Sequence, residues 1–102
     1  MEKYKAIVCI INDGFVDETM EEAKRLGAKG GTVIKARGTV SKLAESIYNI
    51  TIQPEKEIVL ILVPETIVDD ILSGLYDKVG TNTDARGIAF VLPVDNVVGI
   101  TK

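Results

Sequence analysis

Three runs of the chain are apolar at every position: Ala6-Ile7-Val8-Cys9-Ile10-Ile11, Ile58-Val59-Leu60-Ile61-Leu62-Val63 and Ile88-Ala89-Phe90-Val91-Leu92. Each has strand length and is rich in β-branched residues. A strand with one wet face alternates apolar and polar side chains, and these do not. A sheet built from them must be covered on both faces. The chain has only 102 residues, 46% of them hydrophobic. That is enough for one core and too little for two, so one domain is expected over residues 1–102.

The segments between these runs supply limited cover. Residues 13–26 carry Val16, Met20, Ala23 and Leu26 at helical spacing, with Glu18, Glu21, Glu22 and Arg25 placed elsewhere. Asp17 and Glu18 early, Lys24 and Arg25 late, and Gly27 just beyond suit the helix dipole and a left-handed cap. Thr32–Ala36 reads as a strand after the Gly30-Gly31 turn. Within 38–53, Val40, Leu43, Ala44 and Ile47 have the spacing of about two helical turns, and Ile50 and Ile52 alternate around Thr51. Pro64 suits a helix start, followed by Ile67, Ile71, Leu75 and Val79 at intervals of four, and Gly80 ends that helix. Residues 80–87 are a polar loop, and Val97–Ile100 is a candidate for brief pairing.

The order strand-helix-strand-insert-strand-helix-strand fits a ferredoxin-like α+β sandwich, a βαββαβ antiparallel sheet with two helices on one face. Two helices cover one face only. A large apolar patch is rarely left exposed, so the other face is expected to close against further copies of the chain. The alternative is that the 38–53 insert folds over it.

Composition removes several functions. There is no His, which excludes imidazole acid–base chemistry, a Ser-His-Asp triad and a His-based zinc site. One Cys cannot form an internal disulfide. A net charge of -3 speaks against general nucleic-acid binding. The sheet aromatics needed to stack RNA bases are also scarce, since only Tyr4, Tyr48, Tyr76, Phe15 and Phe90 are aromatic. No apolar run approaches the roughly 20 residues of a membrane span. The Asn12-Asp13-Gly14 turn follows the first run where a leader would need a cleavage site. A cytoplasmic protein without direct membrane insertion is expected.

Few residues invite chemistry. Asp69-Asp70 are adjacent on a helix, point apart, and read as a solvated face. Cys9 lies among apolar neighbours and reads as a small buried hydrophobe. Glycine turns beside arginine are the better signal: Gly30-Gly31, Arg37-Gly38 and Arg86-Gly87. Backbone N–H groups with a guanidinium suit a phosphate, although such turns also occur without a ligand.

Three segments resemble the nitrogen-regulatory PII signalling proteins: G-A-K-G-G-T-V-I-K-A-R-G (27–38), Q-P-E-K-E-I-V-L-I-L-V-P (53–64) and G-I-A-F-V-L-P-V-D (87–95). The resemblance implies a ferredoxin-like homotrimer with the sheets inward. It implies adenine-nucleotide binding between subunits (ATP, ADP or AMP here), in many members also 2-oxoglutarate with magnesium. It further implies a T-loop that docks on a regulated protein partner, a transporter or metabolic enzyme, and no catalysis. Thr32 matches the adenine-contacting threonine, Gly38 the T-loop base and Gly87 the last glycine of the B-loop. The family's lysine after that glycine is Ile88 here, the acidic residue before it is Arg86, and two phosphate-contacting arginines fall at Gly99 and Thr101. Arg37 and Arg86 are the candidates to replace them.

The T-loop region is shortened and lacks the family's glutamine. Thr39, Lys42 and Tyr48 are its candidate partner-binding residues. Tyr48 falls where some members carry a modified tyrosine, but its apolar neighbours favour a packing role. Three functions follow: a PII-like regulator in nitrogen metabolism, a trimeric interaction protein of that fold that no longer binds ATP, and an acyl-phosphate hydrolase. The last needs an arginine and an asparagine converging on phosphate, and Asn12, Asn49, Asn82 and Asn96 are not suggestively placed.

Overall fold

A computed structural model describes residues 3–39, 42–49 and 53–100. The elements run β1 (Tyr4–Asn12), α1 (Val16–Arg25), β2 (Thr32–Arg37), α2 (Lys42–Tyr48), β3 (Glu55–Pro64), a 3-10 turn (Glu65–Ile67), α3 (Val68–Val79) and β4 (Ile88–Pro93). The strands form one antiparallel sheet in the order β2-β3-β1-β4. This is the expected ferredoxin-like arrangement, with α1 and α3 packed on one face. Val40, Ser41 and Ile50–Ile52 lie outside the described residues, so the alternation around Thr51 does too.

Strand parity sorts the side chains. Ile7, Cys9 and Ile11 of β1 and Val59, Ile61 and Val63 of β3 face the helices and are buried with Ala23, Ile71, Leu75 and Val79. The register places the alternate residues in three rows on the other face: Ile34–Ile58–Ile10–Ile88, Thr32–Leu60–Val8–Phe90, and Leu62–Ala6–Leu92. Ten of these eleven side chains carry no polar group. At the sheet edges Ile88, Phe90 and Leu92 remain 58%, 43% and 47% exposed.

The described part of the 38–53 insert, α2, does not cover that face. Leu43, Ile47 and Tyr48 of α2 are themselves exposed, and the molecule is drawn out to 52 Å along one axis. Tyr48 is 71% exposed, so the packing role expected for it is not realised within the protomer. A seven-residue helix has too few turns to hold a face down without tertiary partners.

Other expectations need correction. Glu22 faces inward: it is buried, takes two hydrogen bonds from Arg25 (2.9 and 2.7 Å), and lies over Gly74 of α3. Glycine at 74 leaves room for this carboxylate, because a Cβ there would collide with it. β3 starts at Glu55, before the apolar run, because Glu55, Lys56 and Glu57 pair with Arg37, Ala36 and Lys35. Pro64 closes β3, opposite Tyr4, and leads into the 3-10 turn. Val97–Ile100 forms no strand: Gly99 turns at φ +95° and Val98 is fully exposed.

Candidate functional site

Two of the glycine turns singled out by sequence, Arg37-Gly38 and Arg86-Gly87, lie at one end of the sheet, on its two outer strands, while Gly30-Gly31 lies at the other end of β2. Arg37 and Gly38 leave β2, and the Gly38 N–H donates to the Pro54 carbonyl at 2.7 Å, closing the neck of the insert. Arg86 and Gly87 enter β4. Two strands lie between, so the β2 and β4 backbones are about 14 Å apart at usual strand spacing. Within a protomer the two arginines do not converge. Arg86 sits at φ +51° and its guanidinium turns back to the Thr81 carbonyl at 3.3 Å. Arg37 stands opposite Glu55. Thr32 is exposed at the far end of β2, on the apolar face.

Gly87 has a structural task. Its N–H donates to the Val79 carbonyl at 2.7 Å, and a Cβ there would collide with that oxygen. The contact pins the end of α3 to the start of β4. It also means this N–H is already engaged.

Lys35 is engaged as well. Its ammonium lies 2.7 Å from Asp13 and 3.1 Å from Glu57, and Glu57 accepts the Gly14 N–H at 2.9 Å. The hydrogen bond from Lys35, and then its charge, holds the Asp13 carboxyl below its usual range. Bonds to Asp13 and Glu57 raise the Lys35 ammonium. This cluster fastens the β1–α1 turn to β2 and β3. Cys9 is buried at the foot of a crevice of about 160 Å³ between α3 and β4, and burial pushes its thiol up to about 11. It is a packing residue without thiolate character.

Between the glycine turns, on the apolar-face side, lies a connection that sequence reasoning missed. The register makes Ala36, Lys56 and Asn12 the fourth row of that face, level with the 80–87 loop. The Lys56 ammonium donates to Asn12 Oδ1. Asn12 Nδ2 donates to the Asp84 carbonyl at 3.0 Å, and Asn12 N–H to the Ala85 carbonyl at 2.8 Å. The Lys56 stem also passes 3.2 Å from the space a Cβ on Gly38 would fill. Asn12 is buried and Lys56 half-buried. A polar chain thus runs from the neck of the insert to the loop before β4. The available signal was positional: Lys56 and Asn12 interrupt two apolar strands at the same end.

Thr39, Lys42 and Tyr48 are exposed, the last two on α2. Among the described residues, no group of three or more His, Cys, Asp or Glu could hold a metal ion, and no helix is long and apolar enough to cross a membrane.

The model of the family described as nitrogen regulatory protein P-II matches residues 4–102. Among solved structures, a protein described as PII-like from Thermus thermophilus is 26% identical, with 91% of this chain and 87% of that one covered and a TM-score of 0.70. Arabidopsis thaliana PII, solved bound to citrate, is 20% identical with a TM-score of 0.73, covering 98% of this chain and 82% of its own. CPII, a PII-like protein from Thiomonas intermedia solved with ADP, AMP and bicarbonate, is 19% identical with a TM-score of 0.70, covering 95% and 96%.

Proposed function

Because the chain belongs to the nitrogen regulatory protein P-II family, we propose that it is a cytoplasmic, homotrimeric signalling protein, one PII-like domain over residues 1–102, and not an enzyme. It binds a small anionic ligand, an adenine nucleotide such as ATP, ADP or AMP, at clefts between subunits. It passes the state of that site to a protein partner, a transporter or metabolic enzyme of nitrogen metabolism, through the 38–53 insert. Such signalling requires the ligand to bind the docked and free forms with different affinity.

One observation carries this reading. The exposed sheet face is apolar over three rows and ends in the polar row of Lys56 and Asn12, which joins the insert neck to the 80–87 loop. Subunits meeting through the apolar rows would leave this polar end, with Gly38 and Arg86 on the two edge strands, at the subunit boundary. Arg37 and Arg86 are too far apart to share a phosphate in one protomer, so their joint use requires a second subunit. Thr32, Gly38 and Gly87 complete the proposed nucleotide site. Thr39, Lys42 and Tyr48 present the partner surface.

A second reading has support from Gly87: its N–H is spent on Val79, which favours an interaction protein that keeps the trimer and has lost the nucleotide. Calorimetric titration with ATP, ADP and AMP separates the two. Micromolar binding that weakens in Arg86→Ala supports the nucleotide-sensing protein. Trimeric mass with no heat from any nucleotide supports the second reading.

A further inference from the structure

We propose that the crevice between α3 and β4 is a binding site for a small, uncharged aromatic molecule of one ring. The site lies on the helix side of the sheet and is independent of the nucleotide reading above.

Strand parity and helix placement together create the space. On the helix side of β1 and β4, Cys9 stands beside Ala89, two small side chains, while the next pair along that side is Ile7 and Val91. Over this row α3 places Leu72, Leu75, Tyr76 and Val79, which recur at i, i+3, i+4 and i+7. The opposite flank of α3 is drawn onto α1, where Gly74 meets the Glu22 carboxylate. The sheet order makes β4 an edge strand, so the flank with Leu72 and Tyr76 overhangs the sheet margin and leaves about 160 Å³ open beneath it.

Size and lining select the ligand. An apolar cavity of about 150 Å³ holds one benzene ring, whereas sites for larger ligands begin at about 300 Å³. Among the described residues none that lines the crevice is charged, so an ion entering it would shed water without gaining a counter-charge. At the floor the Cys9 thiol is 1% exposed and has no hydrogen-bond partner among the described residues. Sulfur against an aromatic ring is a favourable contact, and it leaves no strong donor or acceptor of the ligand unmet. At the mouth stands the Tyr76 ring, 59% exposed, whose hydroxyl accepts a hydrogen bond from Asn82 Nδ2 at 3.3 Å. That bond ties the Tyr76 wall to the 80–87 loop, and the ring offers an aromatic neighbour to a second ring. Gly80 and Gly87 close the crevice at the two ends of the same loop, where the Gly87 N–H donates to the Val79 carbonyl at 2.7 Å. A bound ring therefore lies against both ends of the loop and fixes the spacing of α3 and β4.

The test uses the full chain, methyl NMR and titration with toluene, methylcyclohexane and benzoate. Toluene should bind saturably with a dissociation constant of about a millimolar or below, and its ring protons should show NOEs to the methyls of Leu72, Leu75, Val79 and Ala89. Methylcyclohexane, which lacks the sulfur–ring contact, should bind about threefold more weakly, and benzoate should give no saturable shift. Ala89→Ile fills the crevice from the sheet. It should weaken toluene binding by about tenfold or more while the melting temperature of the free protein is held or raised, a pattern that loss of structure would not give. The NOEs are read in the wild type and stand whether or not Ala89→Ile folds. Unchanged toluene affinity in Ala89→Ile, NOEs confined to other methyls, or no saturable toluene binding by the wild type would overturn the assignment. Methylcyclohexane binding as tightly as toluene would overturn the aromatic class, and benzoate binding as tightly would overturn the uncharged one. None of these outcomes bears on nucleotide binding.

Discussion

Phe90→Asp tests the claim that the open sheet face is a subunit interface. Phe90 lies in the middle row of that face, beside Val8, and is 43% exposed, with Ile88 and Leu92 on either side at 58% and 47%. Full burial of such a side chain stabilises by about 1.5–3 kcal/mol, so closing the half still open contributes about 1 kcal/mol at each position. The aspartate forfeits that term and adds the cost of drying an unpaired carboxylate, bringing the loss to at least about 2 kcal/mol per subunit. Three subunits lose about 6 kcal/mol together, a drop of about four powers of ten in the assembly constant. The helix-facing core, where Ile7, Cys9, Val59 and Ile61 lie, is untouched. Light scattering with size-exclusion chromatography should therefore find the wild type as a trimer at micromolar concentration and Phe90→Asp as a smaller species with unchanged far-UV circular dichroism. A variant that keeps the trimer mass, or a wild type that is monomeric, would refute the reasoning from strand patterning.

Other outcomes follow from single contacts. Gly87→Ala sets a methyl against the Val79 carbonyl and should destabilise by about 1–3 kcal/mol in urea unfolding, with the m-value unchanged. Gly74→Ala displaces the Glu22 carboxylate, and the double variant Gly74→Ala/Glu22→Ala should recover part of the loss, as a double-mutant cycle would report. Cys9 should resist iodoacetamide at neutral pH in the folded protein and react readily in guanidinium, since its thiol is both buried and raised to about 11. Asp13 has a lowered carboxyl, so its contribution is present above the usual carboxylate range and lost as pH falls through its folded value. Lys35 has a raised ammonium, so its contribution is complete below the usual lysine value and lost as pH rises through its folded one. Melting temperatures should decline at both extremes, and Lys35→Met should flatten both limbs.

The sheet was legible because strand period and apolar content are local properties. Ile58–Val63 could be nothing else in a chain this short, and the four-residue spacing from Ile67 to Val79 located α3 within a turn. The errors arise where a partner distant in sequence decides the outcome. Glu22 looks solvent-facing on a helical wheel, and only the gap left by Gly74 on another helix makes an inward carboxylate tolerable. Tyr48 looks like a packing residue because its neighbours are apolar, yet it is exposed, as are Leu43 and Ile47 on the same helix. β3 begins three residues ahead of its apolar run because Arg37, Ala36 and Lys35 across the ladder hold Glu55, Lys56 and Glu57 in the sheet.

The candidate site was half legible for a related reason. Glycine and arginine announce a turn wherever they occur, so Arg37-Gly38 and Arg86-Gly87 stand out. Which face a strand residue occupies depends on parity, and parity separates Lys35 from Lys56 although both lie near the same end. Lys35 falls on the helix side, where Asp13 and Glu57 consume its charge. Lys56 falls on the other side, beyond the apolar rows, where its ammonium bonds the amide oxygen of Asn12. Asn12 reads as a turn residue in Asn-Asp-Gly, but it is the last residue of β1, two strands away from the insert neck and one from the 80–87 loop. Its backbone N–H reaches the loop at Ala85, and its side-chain amide links Lys56 to the loop, accepting from an ammonium and donating to a carbonyl at once. An aspartate could accept but not donate, and a serine is too short to span both. The requirement for asparagine is thus set by register across three strands, which residue spacing along the chain does not encode.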